Sequence, residues 1–135
     1  MTGFTPQGQA TVVVDTSNGD IEISGSYSEM TSVVVNAHLH GLTDPNNPTA
    51  SPIFPLNFDS ATAGNFNGMS TLSPENLAGL LAGRTYINVH TSNNGPGEIR
   101  GNLIPEPSTV ALLILGTLSC TAWAHRRRKR AARKG

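Results

Sequence analysis

The sequence predicts an all-β fold, an antiparallel sandwich or barrel with one short helix, followed by a C-terminal transmembrane helix. Short runs rich in β-branched residues recur between residues 9 and 103, separated by turns rich in Gly, Asn and Pro. Only residues 72–83 in that stretch have a helical pattern. An uncharged apolar run at 108–124 then spans about 25 Å as a helix. This length is short but admissible for a bilayer core.

The first two strands form a predicted hairpin. Residues 9–15 contain three consecutive valines, which favour a strand. Residues 16–20 follow as a turn, because Asn18-Gly19 readily adopts positive φ. Residues 21–27 then alternate between apolar and polar side chains, as expected for a strand with one buried face.

The third strand is predicted at 33–40. Its apolar face comprises Val33, Val35, Ala37 and Leu39, and its opposite face comprises Val34, Asn36, His38 and His40. Residues 41–52 are a predicted loop. Residues 53–58 form a predicted short strand at a sheet edge, because Pro55 interrupts it. Residues 59–71 are predicted to be a loop because they are rich in Gly and Asn.

The helix at 72–83 has clear end signals. Ser73 is the predicted N-cap, Pro74 occupies the first helical position, and Gly83 ends the helix. Its apolar stripe comprises Leu77, Leu80 and Leu81. Strands at 85–91 and 98–103, joined by a turn at 92–97, complete the domain.

Charge and cysteine content exclude several classes of protein. Before residue 104 there are two basic and eight acidic side chains, a net charge of −6, so we expect no nucleic-acid partner. The only cysteine, Cys120, lies in the apolar span, so the domain has no disulfide. The first residues lack a basic start and an apolar run. We therefore expect Met1 to be an internal residue of a longer precursor.

The C-terminal segment, residues 104–135, combines a Pro-Glu-Pro box with an apolar span and a basic end. The box is Pro105, Glu106 and Pro107. The span at 108–124 is built on Val110, Leu112, Leu113, Ile114, Leu115, Leu118 and Trp123. The basic tail, 125–135, contains the cluster Arg126, Arg127, Arg128, Lys129 and Arg130. The positive-inside rule keeps this cluster cytoplasmic and places residues 1–107 on the far side of the membrane.

This order of box, helix and basic end resembles the PEP-CTERM sorting signal of Gram-negative bacteria. The resemblance implies recognition by an exosortase-type sorting protease and cleavage near the box. The protein would then pass through the inner membrane, with its domain on the periplasmic side, to the cell envelope or the exterior. A permanent C-terminal anchor is the alternative.

Three histidines form the only constellation with metal-ligand chemistry. His38 and His40 project from one face of their strand, and His90 lies on another strand. If those strands are neighbours, three imidazoles converge, which suits copper or zinc with an open coordination position. Asp44 is the nearest acidic candidate for a further ligand. The alternative is a hydrogen-bonded polar cluster, with His38 bonded to Thr91 or Glu98 and an ion pair between Glu98 and Arg100.

Three motifs carry a second resemblance, which covers about residues 8–103. They are Ala-His-Leu-His-Gly at 37–41, Tyr-Ile-Asn-Val-His-Thr at 86–91 and Gly-Glu-Ile-Arg-Gly at 97–101. Together they resemble the chordin-type (CHRD) domain. The resemblance implies an immunoglobulin-like or superoxide-dismutase-like Greek-key sandwich over 1–103. The family's usual first strand is missing ahead of Gly8, which implies an N-terminal truncation.

These observations predict an exported structural or interaction module without catalytic activity. We expect no cofactor, and we expect exopolysaccharide or other envelope components as partners beyond the membrane and the exosortase. The alternative function is a copper- or zinc-binding, superoxide-dismutase-like protein that uses His38, His40 and His90.

Overall fold

The β-branched runs of the sequence form strands in the computed structural model, which describes Gly3 and residues 5–106. The strands are β1 (Gln7–Val14), β2 (Asp20–Ser28), β3 (Val34–Gly41), β4 (Pro52–Pro55), β5 (Asn57–Phe58), β6 (Gly64–Thr71), β7 (Thr85–Thr91) and β8 (Ile99–Asn102), and the helix α1 is Pro74–Leu81. No helix within this described part is long and apolar enough to cross a membrane. The predicted span at 108–124 lies outside the described residues.

The strands form two antiparallel sheets that share one core. Sheet A has the order β1-β2-β6-β5, and sheet B has the order β4-β3-β7-β8. Buried side chains from both sheets meet in a single cluster, so the sheets pack face to face. Its members include Ile21, Ile23, Tyr27, Phe66, Val34, Ala37, Leu39, Ile87 and Val89. The prediction of an all-β fold of two antiparallel sheets with one short helix is confirmed.

The predicted first hairpin is confirmed with an unbroken register. Strand β1 pairs with β2 from Gln7↔Ser28 to Val14↔Ile21. Gly19 in the connecting turn has φ 84°, the conformation for which glycine is favoured. The alternation predicted for β2 also holds, because its apolar side chains are buried and the side chains between them are exposed or half-buried.

The prediction of a loop over residues 59–71 is wrong for its second half, which forms β6. This strand pairs with β2 along its length, from Asp20↔Thr71 to Tyr27↔Gly64. Glycine and asparagine disfavour strands, but the pairing outweighs that local preference. Gly68 has a packing role, because a Cβ there would approach a methyl group of Leu56 to 2.6 Å.

The predicted apolar face of the third strand is wrong at its start. Val33 and Val35 are 43% and 49% exposed, whereas Val34 is fully buried. The register between β3 and β7 shifts between Val34 and Asn36, so Val35 is an extra residue in the ladder. This bulge changes the phase of the alternation, so that Val34 points to the core together with Ala37.

The predicted strand at 53–58 is two short strands in different sheets. Strand β4 pairs with β3 in sheet B, and β5 pairs with β6 in sheet A. Leu56 lies at the crossing, where it is buried and its N–H donates to the Ala37 carbonyl at 2.9 Å. Both strands are at sheet edges. The edge prediction made from Pro55 is therefore confirmed.

Helix α1 begins and ends as its sequence signals predict. The Ser73 hydroxyl accepts a hydrogen bond from the Asn76 N–H at 3.2 Å, and Gly83 has φ 71° beyond the last turn. Leu80 is buried in the core. Leu81, predicted to share that stripe, is exposed instead. The eight-residue helix presents only a narrow apolar face to the sandwich.

Candidate metal centre

Strands β3 and β7 bring the three histidines to one face of sheet B. The strands are antiparallel neighbours, with the pairs His38↔Asn88 and His40↔Tyr86 and the pair Asn36↔His90 beyond them. Successive side chains alternate between the two faces of a strand, so these six lie opposite the core. The sequence predicted the convergence of His38, His40 and His90 on condition that their strands are neighbours, and this is confirmed.

This outer face is covered, which is unusual for the outside of a sandwich. His40 is only 7% exposed and Asn88 only 8%. Two loops, residues 42–51 and 92–97, place backbone carbonyls directly against the histidine side chains. The site is therefore a polar cluster that is largely withdrawn from water and bounded by backbone acceptors.

The hydrogen bond of His40 fixes its tautomer. Its Nδ1 lies 2.8 Å from the Ala50 carbonyl oxygen, which can only accept, so Nδ1 carries the proton. In the neutral ring the other nitrogen, Nε2, then carries a lone pair. It is buried and has no hydrogen-bond partner in the described part of the chain. A buried nitrogen lone pair without a partner is costly unless something else satisfies it.

His90 repeats this arrangement on the neighbouring strand. Its Nδ1 lies 2.7 Å from the Gly95 carbonyl oxygen and therefore also carries the proton. Its bare Nε2 faces His38 Nδ1 at 3.3 Å. His38 Nδ1–H therefore donates to His90 Nε2, and His38 Nδ1 would be a metal ligand only in the other tautomer of that ring.

The geometry fits a three-nitrogen metal site. One ring nitrogen from each histidine lies within 4.8 Å of the others. Two nitrogens bound at 2.0–2.1 Å to a tetrahedral zinc ion lie about 3.3 Å apart, which matches the separation between His38 and His90. A pattern in which ligand histidines donate their second N–H to backbone carbonyls is usual at metal centres.

The surroundings of His38 favour its neutral imidazole. Burial lowers the pKa of His38, and the neighbouring His90 and His40 lower it further. A neutral ring is the form that binds a metal, because its unprotonated nitrogen supplies the lone pair. His38 therefore offers a nitrogen lone pair rather than a positive charge.

Tyr86 forms one wall of the site. Its ring stacks on His40, with ring centroids 4.9 Å apart and an interplanar angle of 14°. Arg100, from β8 on the other side of β7, places its guanidinium carbon 3.5 Å from the Tyr86 ring centroid. The stack of Arg100, Tyr86 and His40 fixes the plane of the His40 imidazole.

Three contacts proposed from the sequence are absent among the described residues. The carboxylate of Asp44 accepts from the N–H groups of Asn46 and Asn47 in its own loop and is not part of the histidine cluster. Glu98 makes no ion pair with Arg100, whose guanidinium donates to Asn102 instead. His38 bonds to His90 and not to Thr91 or Glu98.

Glu98 joins three segments next to the site. Its carboxylate accepts from the Thr31 N–H at 2.6 Å, from the Asn94 amide at 3.0 Å and from the Thr91 hydroxyl. These bonds tie the segment before β3 and the loop at 92–97 to the end of β7. They outweigh the opposing effect of burial and lower the pKa of Glu98 to about 2.

The residues of the predicted sorting signal fall mostly outside the described part of the chain. Pro105 and Glu106 are exposed residues that follow β8. Pro107, the apolar span and the basic cluster lie beyond the described residues.

Sequence reasoning missed Tyr86 and Asn88 as parts of the site. Both share a strand face with His90, and the spacing of two between Tyr86, Asn88 and His90 was a usable signal. No sequence signal identified the Ala50 and Gly95 carbonyls, because the turn geometry that delivers a backbone acceptor depends on the folded loops.

Family membership follows from the whole domain. No curated protein and no solved structure matches the chain. The family described as CHRD domain matches residues 1–103, about three quarters of the chain. The resemblance drawn from the motifs at 37–41, 86–91 and 97–101 is thus confirmed, and the chain belongs to the CHRD domain family.

Proposed function

We propose that this chain is an exported structural or interaction module of the cell envelope. Its membership of the CHRD family supports an extracellular role, and the sandwich is proposed to be of the immunoglobulin-like or superoxide-dismutase-like Greek-key kind. The observation that carries the export proposal is the order of the tail, in which a Pro-Glu-Pro box, an apolar span and a basic end follow the domain directly.

The tail would act as a transient stop signal. Residues 108–124 hold the chain in the inner membrane while the basic cluster keeps the end cytoplasmic. An exosortase-type protease then cleaves near Pro105–Pro107 and releases the domain to the envelope or the exterior. Exopolysaccharide or another envelope component is the proposed partner there.

Fractionation of the native host tests this proposal. We expect the mature protein in the envelope or the medium, and mass spectrometry should show that its C terminus ends near the box. A Glu106→Ala variant should accumulate uncleaved in the inner membrane, whereas Glu75→Ala, which changes an exposed carboxylate in α1, should be processed normally. An intact tail on the wild-type protein in the inner membrane would instead establish a permanent anchor.

A second candidate function, favoured by a specific observation, is the binding of one copper or zinc ion by His38, His40 and His90. The observation is that carbonyl acceptors hold the Nδ1 protons of His40 and His90, which leaves both Nε2 atoms bare. The metal would supply Lewis-acid chemistry, or with copper redox chemistry, at an open fourth position. A superoxide-dismutase-like activity is the redox form of this candidate.

Calorimetric titration of the full-length protein in detergent tests metal binding. We expect one equivalent of Zn(II) or Cu(II) to bind, and we expect binding to be lost in a His38→Ala/His40→Ala/His90→Ala variant. His125→Ala is the matched control, because it removes the one histidine outside the cluster. Equal binding by the wild type and the triple variant would reject the site.

A further inference from the structure

We infer that Tyr86 and Asn88 are positioning residues of the metal centre, each holding the loop that fixes the tautomer of one ligand histidine. This inference rests on the proposed metal binding by the same three histidines. It concerns the residues that hold the carbonyl acceptors of the histidine Nδ1 protons. These acceptors determine which ring nitrogen each histidine can offer to a metal.

Tyr86 holds the loop that supplies the acceptor for His40. The Ala50 N–H donates to the Tyr86 hydroxyl oxygen at 3.1 Å, and the hydroxyl donates back to the Ala50 carbonyl at 3.3 Å. The same carbonyl accepts the His40 Nδ1 proton. Because the Tyr86 ring also stacks on His40, one side chain sets both the acceptor and the plane of the imidazole.

Asn88 holds the loop that supplies the acceptor for His90. Its amide N–H donates to the Pro96 carbonyl at 3.0 Å, one residue after the Gly95 carbonyl that accepts from His90. Gly97 packs so closely on the Asn88 amide that a Cβ at that position would overlap it. The loop is therefore seated on Asn88 at Pro96 and Gly97, the two residues that directly follow Gly95.

The two supports are arranged in parallel along one strand. Tyr86 and Asn88 lie on the covered face of β7 and are buried, and each contacts a different loop. Loss of either support should release one carbonyl acceptor only. The imidazole that had donated to this carbonyl can then carry its proton on Nε2 instead of Nδ1. The Nε2 lone pair is then no longer available to a metal.

Tyr86→Phe and Asn88→Ala in the full-length protein test this inference. Nitrogen-15 NMR of the metal-free protein reads the tautomer of each histidine, and zinc titration reads the affinity. We expect Tyr86→Phe to shift the tautomer of His40 alone and Asn88→Ala to shift that of His90 alone. Each should weaken zinc binding roughly 10- to 100-fold.

Matched controls separate positioning from general loss of structure. Tyr27→Phe removes a hydroxyl on sheet A that donates to the Asp59 carbonyl, and Asn67→Ala removes an exposed amide on the same sheet. Neither should change a histidine tautomer. Tyr86→Phe keeps the aromatic ring, so it provides a decisive variant if Asn88→Ala does not fold.

The two readouts distinguish the possible failures. If the wild type binds zinc and both variants keep wild-type tautomers and affinity, Tyr86 and Asn88 have no positioning role. If the wild type binds no metal while the tautomers shift selectively, the proposed metal function fails and the support of the histidines by these two residues stands.

Discussion

Strands β6 and β7 occupy equivalent places in the two sheets, but β6 buries one face and β7 buries both. Both are inner strands, β6 in sheet A and β7 in sheet B. Strand β6 alternates, with Phe66 buried and Asn65, Asn67 and Met69 exposed on its outer face. Strand β7 is buried along its whole length except for a half-buried His90, so its outer face is covered as well.

The difference arises because loops cover the outer face of sheet B and leave that of sheet A open. Sheet A leaves its outer side chains in water, as one face of an antiparallel sheet commonly does. Sheet B carries Tyr86, Asn88 and His90 on the corresponding face and lays two loops over them. Covering polar side chains requires partners for their polar atoms, and on the covered face the two loops supply them, whereas water supplies them on the open face.

We expect the largest change in the free energy of unfolding from a substitution at Gly97, in the loop that covers sheet B. Gly97→Ala should lower the free energy of unfolding by about 1–3 kcal/mol, because Gly97 has φ 126° and a Cβ would overlap the Asn88 amide. Gly95→Ala in the same loop has open space around its Cβ and should change stability by less than about 0.5 kcal/mol. Urea unfolding compares the two, and equal losses would contradict the seating of the loop on Asn88.

A smaller effect concerns the pH dependence of the stability that the hydrogen bonds of Glu98 contribute. The folded pKa of about 2 lies below the ordinary value of 4.5, so the unfolded chain binds more protons between these values. Stability from this group is present above about pH 5 and is lost as the pH falls towards 2. The effect should be smaller than that of Gly97→Ala, because the carboxylate reaches solvent and its interactions are screened.

Thermal unfolding of Glu98→Gln at several pH values checks this prediction. The variant should be less stable than the wild type at pH 7 and should converge with it near pH 2. Glu22→Gln, which removes an exposed carboxylate on the open face of sheet A, is the matched control for the charge change. A constant difference between Glu98→Gln and the wild type at all pH values would contradict the assignment.

We expect the smallest change in stability from a substitution on the open face of sheet A. Met69 is 78% exposed on β6, so Met69→Thr should change the free energy of unfolding by less than about 0.5 kcal/mol. Urea unfolding would measure it. A loss above about 1 kcal/mol would mean that this face of sheet A is covered in solution.

The sequence predicted those elements that are determined by residues close together in the chain. The hairpin of β1 and β2 follows from a valine run, Asn18-Gly19 and strict alternation, and α1 follows from Ser73 and Gly83. The grouping of the three histidines followed from a spacing of two, on the condition that their strands are neighbours, which the pairing of β3 with β7 meets. Each of these features depends on residues close in sequence or on strand alternation.

Features set by distant contacts were not predictable. Strand β6 forms because β2 supplies its hydrogen bonds and Leu56 packs on Gly68, although its glycines and asparagines disfavour a strand. The bulge that buries Val34 appears only in the register with β7. The carbonyls of Ala50 and Gly95 are backbone groups, so residue types alone do not reveal which histidine nitrogen remains bare.

The most direct test of the metal centre is X-ray absorption spectroscopy of the copper-loaded, full-length His125→Ala variant. The proposed site predicts three imidazole nitrogens at about 2.0 Å and an additional light ligand at the open position. It also predicts the loss of one imidazole when His38→Ala is added. Fewer than three imidazoles, or a spectrum unchanged by His38→Ala, would contradict a centre built on His38, His40 and His90.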